Sequence, residues 1–250
     1  MEKLKEIKML HNILLTGCSK GVGLSICETL LKNGYNVYGI SRTINKQLEN
    51  LLEEYPQQMN HLQFDLADTE NIQNSVFKNW MNNSIPIHGF VNNAAIAYDD
   101  IITNLSVEKI KKMYDVNVFT PFLIIKYVLR NALFNKINCS IVHISSISVH
   151  TGYKGLAMYA GSKGALEAFS KNTSREWGER GVRSNCIVAG FMDTEMSSTL
   201  DQDKKERIYK RNSLKKPTTI ESVAHTVEYL LSNKSASITG QNIFVDSGTI

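Results

Sequence analysis

Short apolar runs of strand length alternate with stretches of helical periodicity along nearly the whole chain. Residues 11–16, 36–41, 61–65, 87–92, 140–145, 183–188 and 242–245 read as strands. Helical spacing is expected over residues 22–32, 46–54, 69–81, 107–133, 158–177 and 220–231. Strands written as apolar runs are buried on both faces, which is the condition of a parallel sheet built from βαβ units. The expectation is therefore an α/β fold: one domain over 1–250 with a doubly wound, seven-stranded parallel sheet and helices on both faces. No Pro/Gly/Ser linker, internal repeat or low-complexity block interrupts the pattern. Residues 190–217 are long and polar with helical patches, and read as a substrate loop or lid.

Composition narrows the class. The 250 residues are 42% hydrophobic and 21% charged, with a net charge of +4, ordinary for a globular chain of this length. No apolar run approaches the ~20 residues that span a bilayer. Residues 1–10 are too charged for a secretory signal, so no membrane association and a cytoplasmic location are expected. Cys18, Cys27, Cys139 and Cys186 show no paired spacing and no histidine at zinc-ligand distance, so neither a disulfide nor a metal site is expected. Cys18 lies in a glycine turn at a helix start, where a thiol could be activated; a small residue filling space is the expected role. Seven cations, Lys204, Lys205, Arg207, Lys210, Arg211, Lys215 and Lys216, fall within thirteen residues. Only Tyr209 accompanies them, so a solvated helical face is expected rather than a nucleic-acid surface.

Candidate chemistry begins at the first strand. Gly17, Gly21 and Gly23 follow it at once and open the first helix, a turn that lets backbone amides approach an anion such as a pyrophosphate. The G-x-x-x-G-x-G spacing differs from the G-x-G-x-x-G dinucleotide fingerprint and from the ATPase phosphate loop. The second strand ends in Ser41-Arg42-Thr43, where an NAD site would carry a carboxylate for the adenosine ribose. Arg42 instead offers a planar cation that matches a 2′-phosphate, and Lys20 in the glycine turn supplies a second, so NADP(H) is favoured over NAD(H).

Further along, Tyr159 precedes Lys163 by four residues, which places both on one helical face, and Ser146 stands thirteen residues before the tyrosine. A phenol with pKa near 10 is a reluctant proton donor at neutral pH; a neighbouring ammonium stabilises its phenolate. Tyr159 is the expected general acid of a hydride transfer, and Lys163 the group that tunes it.

Thr16-Gly17-x-x-x-Gly21-x-Gly23, Asp65-Leu66, Asn92-Asn93-Ala94-Ala95, Asn117, Ser146 and Tyr159-x-x-x-Lys163 occur in an order that resembles the short-chain dehydrogenase/reductase family, over nearly the whole chain. Within it the pattern is most similar to bacterial 3-oxoacyl-[acyl-carrier-protein] reductases of fatty-acid biosynthesis, including Ile238-Thr239-Gly240-Gln241 and Phe244-Val245-Asp246-Ser247-Gly248. The resemblance implies a Rossmann fold whose cofactor lies against Gly17, Ser19, Lys20, Gly21, Val22 and Gly23, with Arg42, Asp65 and Leu66 toward the adenosine. Asp65 would bond the adenine, Asn93 would help seat the cofactor, and Met192 and Thr194 would meet the nicotinamide end. Lys163 would also bond the nicotinamide ribose, and Asn117 would hold a water in the proton supply. Ser146, in preference to Ser145, would donate to the substrate oxygen. A homotetramer is implied too, with the helices over 107–133 and 158–177 forming one interface and the last strand another.

The expected substrate is a small or carrier-bound carbonyl compound, most specifically a 3-oxoacyl thioester, with an acyl carrier protein as a possible partner. Phe191, Met192, Met196 and Leu200 could line an acyl pocket or equally pack the lid shut, and the basic run, with Arg180, could steer an acidic carrier. A general ketone, sugar or steroid oxidoreductase of the same family is the alternative. A non-catalytic NADPH-sensing regulator is disfavoured because both Tyr159 and Lys163 are present. Two positions depart from the family pattern: Ala95 stands where a glycine is usual and Ala189 where a proline is usual.

Overall fold

The structure, a computed structural model, describes residues 11–82, 84–194 and 201–250. Seven strands form one parallel sheet in the order β3-β2-β1-β4-β5-β6-β7. They are β1 (Asn12–Thr16), β2 (Asn36–Ser41), β3 (Met59–Gln63), β4 (Gly89–Asn92), β5 (Cys139–Ser146), β6 (Val182–Ala189) and β7 (Asn242–Val245). The helices are α1 (Gly21–Lys32), α2 (Lys46–Glu54), α3 (Val107–Tyr114), α4 (Thr120–Asn135), α5 (Ser148–Thr151), α6 (Ala157–Trp177), α7 (Gln202–Arg211) and α8 (Ile220–Leu231). The strand order reverses between β1 and β4, the switch point where open parallel sheets bind ligands at their carboxyl ends.

The all-apolar strands resolve into two cores. On β1, Ile13 and Leu15 face one side with α1 and α8, while Leu14 faces the other with α4. The period-two alternation is present, and both faces are simply covered. Helix starts follow local chemistry: the Asn45 side chain accepts from the Leu48 amide at 3.0 Å to cap α2, and Thr219 accepts from Ser222 at 3.2 Å to cap α8.

Three expected elements differ. The third strand runs Met59–Gln63 instead of 61–65, because it pairs Val37↔Met59 through Ser41↔Gln63 and β2 ends there. Asp65 already belongs to the following turn, its carboxylate accepting from the Ala67 amide at 3.0 Å. The helix expected over 69–81 is regular only over Gln73–Trp80, and it is wound as a π-helix.

The helix expected over 107–133 is likewise interrupted: α3 passes through a π-turn, Asp115–Phe119, before α4. The Thr120 amide donates to Asp115, five residues back. Pro121 carries no N–H, so the Asn117 carbonyl loses its usual i→i−4 donor. The wide turn thus falls at the one asparagine singled out for chemistry. Residues 195–200, with Met196 and Leu200, and residues 1–10 lie outside the described residues.

Candidate active site

The glycine turn closes on itself. Gly17 has φ +74, and a Cβ on Gly23 would stand 1.9 Å from the Gly17 carbonyl oxygen, so the start of α1 packs directly on the turn. Asn93 braces the turn: its Nδ2 donates to the carbonyls of Thr16 at 3.0 Å and Gly17 at 3.1 Å. The Thr16 hydroxyl accepts from the amides of Asn93 and Ala94 at 3.1 and 3.2 Å. Asn93, just after β4, therefore braces the turn that follows β1. Ser19 is buried, and its carbonyl accepts from Asn45 Nδ2 at 2.6 Å.

This turn fits a dinucleotide. Gly21, with φ +54, has nothing within 4 Å of an added Cβ. Helix α1 has no acidic residue in its first turn and no side-chain cap at Lys20. Amides at such a helix start can receive a pyrophosphate. Val22 is half-buried beside them, and Arg42 and Asp65 are exposed at the ends of β2 and β3. The Arg42 carbonyl accepts from Gln63 Nε2 at 2.9 Å, and Leu66 is buried with its carbonyl bonded to the Thr120 hydroxyl. Cys18 within the turn is fully buried, and burial pushes its thiol up to about 11, which fits space-filling and opposes a redox role.

Asn117 is 1% exposed and wholly engaged. Its Oδ1 accepts from the Ile96 amide at 2.9 Å, while its Nδ2 donates to the Ile96 carbonyl at 2.9 Å and the Ser162 hydroxyl at 3.0 Å. The side chain thus ties the loop after β4 to α6. Ser162, one residue before Lys163, was not expected from the sequence.

Ser146 ends β5, and its Oγ accepts from the Ser148 amide at 3.2 Å and the Ser148 hydroxyl at 3.0 Å. Ser145 points the other way and donates to Glu167, so the choice between adjacent serines follows strand alternation. Tyr159, in the first turn of α6, lies near enough to Ser146 for that hydroxyl to draw its phenol down. Lys163, one turn on, is 2% exposed, and its Nζ lies 5.8 Å from the Tyr159 ring centroid.

The Lys163 ammonium donates to the Ile144 carbonyl at 2.8 Å. Burial and the Asp99 carboxylate push the Tyr159 phenol up to about 12, and only the nearby Ser146 hydroxyl acts downward. Burial also draws Lys163 down to about 8. Beneath it His143 is fully buried, its Nδ1 3.2 Å from Asn92 Nδ2 and its Nε2 without a partner. Burial and the Lys163 charge bring this imidazole down to about 3.

Met192 is half-buried against the core, and Thr194 ends the described stretch 84–194. A Cβ on Gly190 would meet Thr218 Oγ1 at 2.4 Å, so the chain leaves β6 through a tight passage although Ala189 is not proline. A separate concavity of about 540 Å³, lined by Leu129, Trp177 and Arg180 among others, lies at the amino ends of β5 and β6, opposite this chemistry.

Dinucleotide-dependent oxidation or reduction at an alcohol or carbonyl carbon is the chemistry that such a turn and such a Ser–Tyr–Lys set define. The chain belongs to the short-chain dehydrogenase/reductase family of NAD(P)-dependent oxidoreductases: residues 17–249 match the family described as enoyl-(acyl carrier protein) reductase. Carbonyl reductase [NADPH] 2 of Sus scrofa is 31% identical over 94% of this chain and 94% of its own length. A 3-oxoacyl-[acyl-carrier-protein] reductase of Chlamydia muridarum is also 31% identical, over 94% and 95%. A solved 4-hydroxyisoleucine dehydrogenase complexed with NADH superposes with a TM-score of 0.89 at 26% identity, covering 96% of this chain and 98% of that one. Among the described residues, no helix is long and apolar enough to cross a membrane.

Proposed function

We propose that this chain, as one domain, reduces a ketone to a secondary alcohol with NADPH, with Tyr159 as general acid. The observation that carries this reading is the gathering of Ser146 at the carboxyl end of β5, Tyr159 in the first turn of α6, where the Ser146 hydroxyl draws its phenol down, and the buried Lys163 one helical turn away. The bound dinucleotide supplies a hydride to the carbonyl carbon. Gly17, Ser19, Lys20, Gly21, Val22 and Gly23 would hold its pyrophosphate, Arg42, Asp65 and Leu66 its adenosine, and Met192 and Thr194 its nicotinamide side, with Asn93 helping to seat it by bracing the glycine turn. Ser146 donates to the substrate oxygen where negative charge develops. Tyr159 gives its proton to that oxygen and becomes a phenolate. A phenol near 12 resists this, so a cation must come nearer as the charge forms; Lys163, on the same face, is the group within reach. Asn117, on its π-turn, offers a backbone carbonyl lacking its α-helical donor, a place for a water that returns the proton.

The favoured substrate is a 3-oxoacyl thioester, supported by the likeness to the chlamydial enzyme. A free ketone or sugar is the second reading, supported by an equal identity to the porcine carbonyl reductase. NADPH over NADH rests on Arg42 and Lys20. The test is an NADPH-consumption screen over acetoacetyl and crotonyl thioesters, carrier-bound acyl chains, sugars and simple ketones, repeated with NADH. Tyr159→Phe should abolish carbonyl reduction while cofactor binding persists; undiminished reduction would show that Tyr159 is not the acid.

A homotetramer is part of the same reading. Phe119 and Phe134, on the π-turn and α4, are 52% and 69% exposed, and Phe244 on edge strand β7 is 44% exposed, all on elements assigned to interfaces. Light scattering would decide it. A cytoplasmic location is supported by four free, buried cysteines.

A further inference from the structure

Four elements converge on one buried carboxylate that the chemistry above does not use. Glu167 on α6 is 8% exposed. Its Oε1 accepts from the Ser145 hydroxyl of β5. Its two oxygens stand 3.2 and 3.0 Å from His150 Nε2 of α5, and Oε2 accepts from Asn242 Nδ2 of β7 at 2.7 Å. The His150 ring, with its side chain 27% exposed, meets the edge of Phe244 at 4.9 Å. The titratable groups facing this carboxylate are His150 and, from β6, Cys186, whose thiol burial pushes up to about 12 and keeps neutral.

Position gives the cluster its meaning. Glu167 lies one turn beyond Lys163 on the same face of α6, and Ser145 directly precedes Ser146. His150 belongs to the turn whose first residue, Ser148, donates to Ser146. A leucine at 167 would fill the space without the cost of burying a carboxylate. A carboxylate held by three directional partners instead fixes the angle between β5, α5 and α6.

We propose that Glu167 is a positioning residue of the reduction: through Ser145 and His150 it locks the strand end and turn that carry Ser146 against the helix that carries Tyr159 and Lys163. This rests on the assignment of Ser146, Tyr159 and Lys163 made above. Release of the lock lets the donor drift from the acid, and a displacement near 1 Å can cost up to about a hundredfold in rate.

The test uses acetoacetyl-coenzyme A reduction at saturating NADPH. The variants are Glu167→Leu, Glu167→Gln, Ser145→Ala and the Glu167→Gln/Ser145→Ala double, with Tyr159→Phe beside them. Glu167→Leu and Ser145→Ala should each lower kcat by about tenfold or more while the NADPH Kd stays within about twofold. Glu167→Gln keeps an acceptor for Ser145 and should recover most of kcat, and the double variant should be no worse than Ser145→Ala. Thermal melts check folding, and Ser145→Ala, which removes one oxygen, stands in if Glu167→Leu does not fold. Unchanged kcat in Ser145→Ala, or equal losses in kcat and NADPH affinity, overturns the proposal. A fully active Tyr159→Phe would instead sink the assignment of the acid. If the wild type does not consume NADPH with this thioester, amide exchange decides: residues 146–151 should exchange about tenfold faster in Ser145→Ala with β1 and β2 unchanged, and equal exchange overturns the lock.

Discussion

Lys163 Nζ donates to the Ile144 carbonyl at 2.8 Å, so the cation proposed to assist the acid is anchored on the strand that ends in Ser146. Burial lowers this ammonium to about 8. The charged form therefore dominates below about pH 8 and is lost above it. If the ammonium is needed to stabilise the developing phenolate, kcat/KM for the free enzyme should fall as pH rises through about 8. Lys163→Arg, permanently charged, should remove that limb, and Lys163→Met should lose about a hundredfold at neutral pH. A pH–rate profile of the three proteins checks both.

His143 gives a stability prediction of defined sign. Its folded-state pKa is lowered from 6.5 to about 3 by burial, so between these values the unfolded chain holds the extra proton. Stability present at pH 7 is then lost as pH falls below about 6.5, at up to about 1.4 kcal/mol per pH unit for this group. His61 and His88 are also lowered by burial and add slopes of the same sign. His143→Asn should therefore close part of its stability gap to the wild type between pH 7.5 and 5.5, measured by urea unfolding. A gap constant with pH would refute the neutral buried imidazole.

Two glycines of the turn separate strain from collision. Gly21→Ala meets nothing within 4 Å but must hold φ +54, costing about 1–2 kcal/mol. Gly23→Ala drives its Cβ to 1.9 Å from the Gly17 carbonyl and should cost more than about 3 kcal/mol, with loss of NADPH binding. Thermal melts and NADPH fluorescence should place the two variants in that order.

Helical spacing made Tyr159 and Lys163 readable as a pair on one face and strand alternation separates Ser145 from Ser146, but Ser146 joins the pair only through the family resemblance. Sequence pattern also placed the glycine turn, since apolar β1 ends at Thr16 and Gly17 must adopt positive φ. The end of β3 was not readable: Phe64 and Leu62 alternate as a strand would, and only the register with β2 stops the ladder at Gln63. The π-turn carried a signal in Pro121, four residues after Asn117, whose consequence for the helix ladder is local. Lys163 reaching a main-chain carbonyl nineteen residues away, and Glu167 gathering Ser145, His150 and Asn242, carry none. Such contacts depend on how α6 settles on the sheet, which no spacing rule specifies.

The proposed preference for NADPH predicts a reversal at Arg42. Replacing a planar cation by a carboxylate removes a charge-assisted partner for the 2′-phosphate and adds repulsion. Arg42→Asp should raise KM for NADPH about 10- to 100-fold and leave KM for NADH equal or lower. Steady-state kinetics with both cofactors measures it, and equal effects on the two would remove Arg42 from the 2′-phosphate site.

Carrier docking, if it occurs, must use only part of the basic segment. The Lys205 side chain is 13% exposed and donates to Asp193 at 2.6 Å, and Lys215 donates to the Lys210 carbonyl at 2.8 Å, so these two cations are committed locally. Arg207 and Arg211 on α7 are exposed. Steering acts on association and is screened by salt, with a Debye length of about 8 Å at physiological ionic strength. Arg207→Glu/Arg211→Glu should therefore lower kcat/KM for a carrier-bound 3-oxoacyl chain at least fivefold at low salt, an effect that shrinks in 0.5 M salt. Turnover of the same acyl group on a small thioester should stay within about twofold, because α7 then has no partner to steer. Equal losses on both substrates would mean that α7 acts on the site itself and not on a carrier.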